Sequence, residues 1–253
     1  MSSRAIASFG RTSLSYKSAP SSLASWLEKH ELSADENDHP IFHAGTLLDS
    51  SRHDLGDEIS IFVHAPFSED AEDADNRNDP SIVIQIALEN VDKTTNLFIT
   101  GDTPHDVLDK IVERSEFSGN ADYLKWDLYD IPHHCNYTGL SDEKGEDITE
   151  PSEDIKRLLQ EYGQENAFLV ASCRAFSDVG DGDTQPPHAQ AKKAYRKYCK
   201  NADGSSKTML ITSEYGGKTN PRPLRFKIDR TGIREDTGFN AAFIHTPAPR
   251  AGG

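Results

Sequence analysis

Residues Trp126 to Gly139 read WDLYDIPHHCNYTG, and the fold is decided there. An apolar run from Leu124 to Ile131 stops at Pro132 and delivers two adjacent histidines, His133 and His134, into a polar loop that ends on glycine. Upstream, Asn96 to Thr100 (NLFIT) stops in the same way at Gly101-Asp102. Short runs rich in Ile, Leu, Phe and Tyr, bounded by Gly or Pro, are the pattern of buried strands. Two strands that each end on a potential metal ligand therefore lie close together in the chain.

Working outward, Ser81 to Leu88 (SIVIQIAL) pairs with Asn96 to Thr100 as a hairpin across the polar turn ENVDKTT. Ile41 to Leu48 and Glu58 to Ala65 read as two earlier strands, the second placing Ile59, Ile61 and Val63 on one side. After Gly101-Asp102, either Asp102 or Thr103 can cap a helix with Pro104 in its first turn and Val107, Leu108, Ile111 and Val112 as its apolar stripe. A helix over Ser152 to Tyr162, a strand over Ala167 to Ser172, a basic helix over Ala189 to Cys199 and strands at Thr208 to Thr212 and Leu224 to Ile228 complete the order. Hairpins dominate the first half and strands alternate with helices in the second, which predicts an α/β layered fold with a mixed sheet flanked by helices. Residues 1 to 20 read as an irregular lead-in, 21 to 230 as one domain opening with the short helix LASWLEKHEL, and 231 to 253 as a flexible tail.

Composition bounds what this domain does. No run approaches the roughly 18 apolar residues of a membrane span, so no membrane partner is expected and the location is read as cytoplasmic. Three widely spaced cysteines, Cys135, Cys173 and Cys199, give neither a disulfide framework nor a zinc module and are expected to be reduced and buried. The net charge of −15 opposes indiscriminate binding to nucleic acid. Yet Gln190 to Arg230 carries eleven Lys and Arg against three acidic residues. The cations Lys192, Lys193, Arg196 and Lys197 follow His188 directly, either as a solvated face or as a phosphate-binding surface. The acidic stretch SEDAEDADNRNDP and the loop DVGDGD read as solvated loops, and His43 and His64 as structural histidines.

In order, the motifs NDPSIVIQI, NLFITGD, LYDIPHHCN, AFLVAS, QPPHAQAKKAYRKY and MLITSEYGG resemble the C-terminal half of metallo-β-lactamase-fold hydrolases of the competence type, over roughly residues 41 to 230. The resemblance implies a layered half-sandwich in which Asp102 bridges two zinc ions, His133 or His134 binds one of them, and His188 stands near a further ligand position, with a phosphodiester or nucleic acid as substrate. His105, one turn beyond Gly-Asp, would lie beside the ligands. Two departures stand out. Cys135 replaces a glycine of the turn, and the HxHxDH motif that supplies most of the family's ligands is absent. The chain is thus expected to be a fragment of a longer protein, a subunit whose partner chain or domain brings HxHxDH, or a degenerate relative kept as a non-catalytic interaction scaffold. Without the resemblance, a Gly-Asp helix cap and a polar loop with a histidine pair account for the same residues.

Overall fold

A computed structural model describes residues 42–51, 53, 55–67, 78, 80–176, 185–217 and 222–238. The helix expected at LASWLEKHEL, most of the acidic stretch after Phe67 and the DVGDGD loop lie outside these residues. Seven strands form one sheet in the order of the sequence. They are β1 (Leu47–Leu48), β2 (Ile59–Ala65), β3 (Val83–Glu89), β4 (Thr94–Ile99), β5 (Trp126–Asp130), β6 (Gly163–Ala171) and β7 (Thr208–Ile211). Strands β1 to β4 are antiparallel neighbours, and β4 to β7 run parallel. The α/β class and the mixed sheet flanked by helices are as the sequence predicts.

Helices α1 (His105–Phe117), α2 (Glu153–Gln160) and α3 (Ala189–Tyr198) make the three parallel crossovers. Parallel crossovers are right-handed, so with strands added in one direction all three helices fall on the same face. Helix α1 packs on α2, and α2 on α3. Their apolar stripes, Val107, Leu108, Ile111 and Val112 on α1 and Ile155, Leu158 and Leu159 on α2, close over the sheet row Phe62, Gln85, Phe98, Tyr129 and Leu169. Gln85 is tolerated in that row because its amide donates to the Lys125 carbonyl at 2.9 Å. Trp126 closes the floor, its indole N–H donating to Leu158 O at 2.9 Å.

The opposite face carries a second row, Ile61, Ile86, Leu97, Leu128 and Phe168, continuous across five strands. Apart from Leu128 these side chains are only half-buried. A hairpin of β8 (Phe226–Asp229) and β9 (Gly232–Glu235) reaches this face, Phe226 meeting Phe168 edge-on at 5.1 Å.

Three sequence expectations are corrected. Leu224 to Ile228 does not close the sheet: β8 pairs only with β9, because Asp229 accepts from Thr231 and Gly232 (φ 103°) turns the chain straight back. The same turn extends ordered structure through Glu235, into the segment read as a tail. Helix α1 is preceded by Pro104 with no side-chain cap, since the Thr103 hydroxyl donates back to Thr100 O and Asp102 faces elsewhere.

Candidate functional site

The carboxyl ends of parallel strands are where an open α/β sheet collects functional groups, because the helices rise away from that edge. Here β4, β5 and β6 end together. The Thr100 hydroxyl donates to Asp130 O at 2.6 Å, and Ile131 N–H donates to Val170 O at 2.8 Å. Gly101, at φ 63°, turns the chain after β4 and sets Asp102 on the rim. The His133 N–H donates to Gly101 O at 2.9 Å and joins the two strand ends named in the sequence.

The histidine turn is left-handed. His133, His134 and Cys135 have φ of 49°, 57° and 62°, three consecutive non-glycine residues in a region L side chains avoid. Cys135 N–H closes the turn on Pro132 O at 3.1 Å, and Asn136 N–H on His133 O at 3.0 Å. Gly139 is needed beneath it, since a Cβ there would lie 2.7 Å from Pro132 Cγ.

This backbone sends the two imidazoles in different directions. His134 Nδ1 lies 2.7 Å from Ser172 O, and a carbonyl can only accept, so Nδ1 carries the proton. Its Nε2 is 3.5 Å from Asp102 Oδ1, both side chains being about half exposed. His133 lies between Thr138 Oγ1 at 3.2 Å from Nδ1 and the Asn78 amide at 3.5 Å from Nε2. Burial pushes the His133 pKa down, with Asp102 pulling it up and His134 pushing it down again. Of the two histidines, the structure brings His134 to Asp102 and holds His133 against Thr138 and Asn78.

Asp130 is a site residue that sequence reasoning missed. It ends β5 two residues beyond Leu128 and so faces the same, helix-free side. Burial pushes its carboxyl up to about 6, His134 opposing the shift and Asp102 adding to it. The signal was available: a carboxylate at a period-two apolar position, immediately before the Pro-His turn.

The remaining candidates divide. His188 is buried, donates its backbone N–H to Cys135 O at 3.0 Å and sets its ring edge-on to Tyr137 at 5.1 Å, which supports the turn from below. His105 turns to Asp142 at 3.9 Å. His43 is exposed beside Thr46, and buried His64 donates Nε2–H to Tyr123 O at 3.0 Å. Lys193 pairs with Asp147 and Lys197 with Glu150, whereas Lys192 lies over the Phe176 ring at 4.1 Å. All three cysteines are reduced and buried, with their thiols pushed up chiefly by burial, Cys173 to about 11.

Among the described residues no three His, Cys, Asp or Glu side chains converge to hold a metal ion. Asp102 and His134 approach one another at 3.5 Å, and among the described residues no third such side chain joins them. Among the same residues no helix is long and apolar enough to cross a membrane. The chain matches no family model, no curated protein and no solved structure.

Proposed function

We propose that this chain carries part of a zinc-dependent hydrolytic site of metallo-β-lactamase type, with phosphodiesters as its substrate class, and that another chain or domain completes it. The observation that carries the reading is the placement of His134. Its Nδ1 proton is committed to Ser172 O, which leaves Nε2, 3.5 Å from a carboxylate oxygen, as the ring nitrogen that can face a metal. Two ligand atoms each about 2.1 Å from a tetrahedral ion lie roughly 3.4 Å apart. The pair is thus spaced as two ligands of one ion. A carbonyl that fixes the tautomer of a ligating histidine is also the usual arrangement around bound metal. Ion pairing with a protonated His134 is the competing account, but a pair this exposed contributes about 1 kcal/mol or less. Stability alone gives little reason to keep it.

Catalytic zinc takes three protein ligands, so the donor set here is short. Zinc held by Asp102 and His134 would supply Lewis acidity toward a phosphoryl group. This chain's own contribution is to fix the His134 tautomer through Ser172, to keep His133 neutral beside Thr138 and Asn78, and to place the Asp130 carboxyl facing the rim. The residues expected from HxHxDH would have to approach over the helix-free face, next to Asp130.

Zinc uptake measured by calorimetry and elemental analysis tests the reading. Wild type is expected to bind zinc, and Asp102→Asn and His134→Gln to bind at least tenfold more weakly. No zinc in the purified chain, alone or with a partner carrying HxHxDH, would sink it. The half-buried row Ile61, Ile86, Leu97 and Phe168 favours a second reading, a non-catalytic subunit that uses this face to bind a partner. Light scattering that finds only a monodisperse monomer would count against that alternative.

A further inference from the structure

The apolar stripe of α1 breaks off near its end. Val107, Leu108, Ile111 and Val112 are followed on the same face by Ser115, which is buried like them but carries only a hydroxymethyl group. Opposite stands β2, whose period-two alternation turns Phe62 and His64 to the helix side of the sheet. Between the two elements lies a cavity of about 260 Å³, which a larger residue at position 115 would partly fill. Phe42 and Phe67 complete its aromatic walls with Phe62, and the Arg114 guanidinium stands 4.2 Å from the centre of the Phe67 ring. The cavity shares no residue with the Asp102–His134 pair.

His64 brings the polar element. Its Nε2–H donates to Tyr123 O at 3.0 Å, which leaves the ring's lone pair on Nδ1. Among the described residues neither Nδ1 nor the Ser115 hydroxyl makes a hydrogen bond. A buried acceptor without a donor costs free energy, and so do ring faces that meet empty space instead of packed atoms. One bound molecule with a flat apolar body and one donor removes both costs. Its size follows from the volume. An apolar cavity of about 150 Å³ takes up benzene, so about 260 Å³ holds a two-ring compound of about ten heavy atoms at the same density.

We infer that the cavity between β2 and α1 binds a small planar bicyclic heteroaromatic compound whose ring N–H donates to His64 Nδ1. Phe42, Phe62 and Phe67 supply contact to its faces and edges. Tyr123 lies parallel to Phe62 at 4.1 Å, which holds that wall in place before anything binds. A preformed wall and a rigid ligand keep the ordering cost of binding low. The site is independent of the zinc reading, so failure of either leaves the other standing.

Calorimetric titration of the full chain with indole and with benzofuran, which has the same two rings but an ether oxygen in place of the N–H, provides the test. Indole is expected to bind one to one and about tenfold more tightly than benzofuran, the ratio set by one hydrogen bond to a buried acceptor. His64→Phe is expected to bring the two compounds to the same affinity. Ser115→Leu extends the α1 stripe into the cavity and is expected to abolish binding of both while raising the melting temperature, so that loss of binding is not loss of the fold. No indole bound by the wild-type chain would show a hydrated void and overturn the inference. Equal affinities of the two compounds for wild type, or indole binding that survives Ser115→Leu, would overturn it as well.

Discussion

His64 makes the stability of this fold depend on pH in a direction and size that can be worked out from its surroundings. It lies in β2, fully enclosed, against Phe62 at 4.8 Å and Phe98 at 5.1 Å. Burial lowers its pKa from 6.5 to about 4, and the hydrogen bond to Tyr123 O recovers only part of the shift. The unfolded chain takes up a proton as pH falls through 6.5, and the folded chain does not until about pH 4. Stability is therefore full above 6.5 and is lost progressively down to 4. The difference of about 2.5 units corresponds to about 3 kcal/mol. His64→Gln retains an amide N–H able to reach Tyr123 O and removes the titration. Denaturant unfolding at pH 7, 6, 5 and 4 isolates the effect, because the carboxylates that also titrate are common to both proteins. Wild type should lose about 3 kcal/mol more than the variant between pH 7 and pH 4. Parallel curves would refute the assignment of a buried neutral imidazole.

Asp130, with its carboxyl raised to about 6, has the opposite sign: its contribution is full below pH 3.8 and is lost as pH rises through 6. Asp130→Asn should stabilise the metal-free chain at pH 7 by up to about 3 kcal/mol, read as a higher melting temperature, and a variant no more stable than wild type would contradict this. Gly163→Ala places a Cβ 2.5 Å from Trp126 Cζ2 and 3.0 Å from Leu159 O, which should cost about 1–3 kcal/mol in denaturant unfolding. Asp127 is buried, accepts the Asn96 N–H at 2.9 Å and pairs with Lys93 at 3.0 Å. Its replacement by Ala strands that N–H and should cost about 1–3 kcal/mol on the same assay.

The strands that frame the site were legible because each is a short apolar run with an unambiguous stop, Gly101 after β4 and Pro132 after β5. The proximity of Asp102 to a histidine followed from parallel neighbours that end at one edge. Which histidine could not be read, since the choice is made by backbone dihedrals at His133 and His134 and by a carbonyl 38 residues away. The division of the α3 cations was hidden for a similar reason. Lys193 and Lys197 find their partners on a loop some 46 residues earlier in the chain, and spacing within the helix says nothing about that loop. The β8–β9 hairpin was missed because an apolar LRFKI run looks the same whether it joins a large sheet or folds back on its successor.

The left-handed turn supplies the argument that ties fold to function. Residues held in that region without being glycine cost of order 1–3 kcal/mol each, and persist where the surroundings over-determine them. Three occur in succession here, held by His133 N–H on Gly101 O, Cys135 N–H on Pro132 O and His188 N–H on Cys135 O. Those contacts are all made by backbone groups, so three glycines would satisfy them at lower cost. What glycines would not supply is a buried thiol at Cys135, a ring at His133 between Thr138 and Asn78, and a ring at His134 with one nitrogen on Ser172 O and the other facing Asp102. The first two can be counted as packing and local hydrogen bonding. The third is a half-exposed imidazole that adds little to stability, and this unexplained strain at His134 is the reason for proposing that its Nε2 and the Asp102 carboxylate serve as ligands.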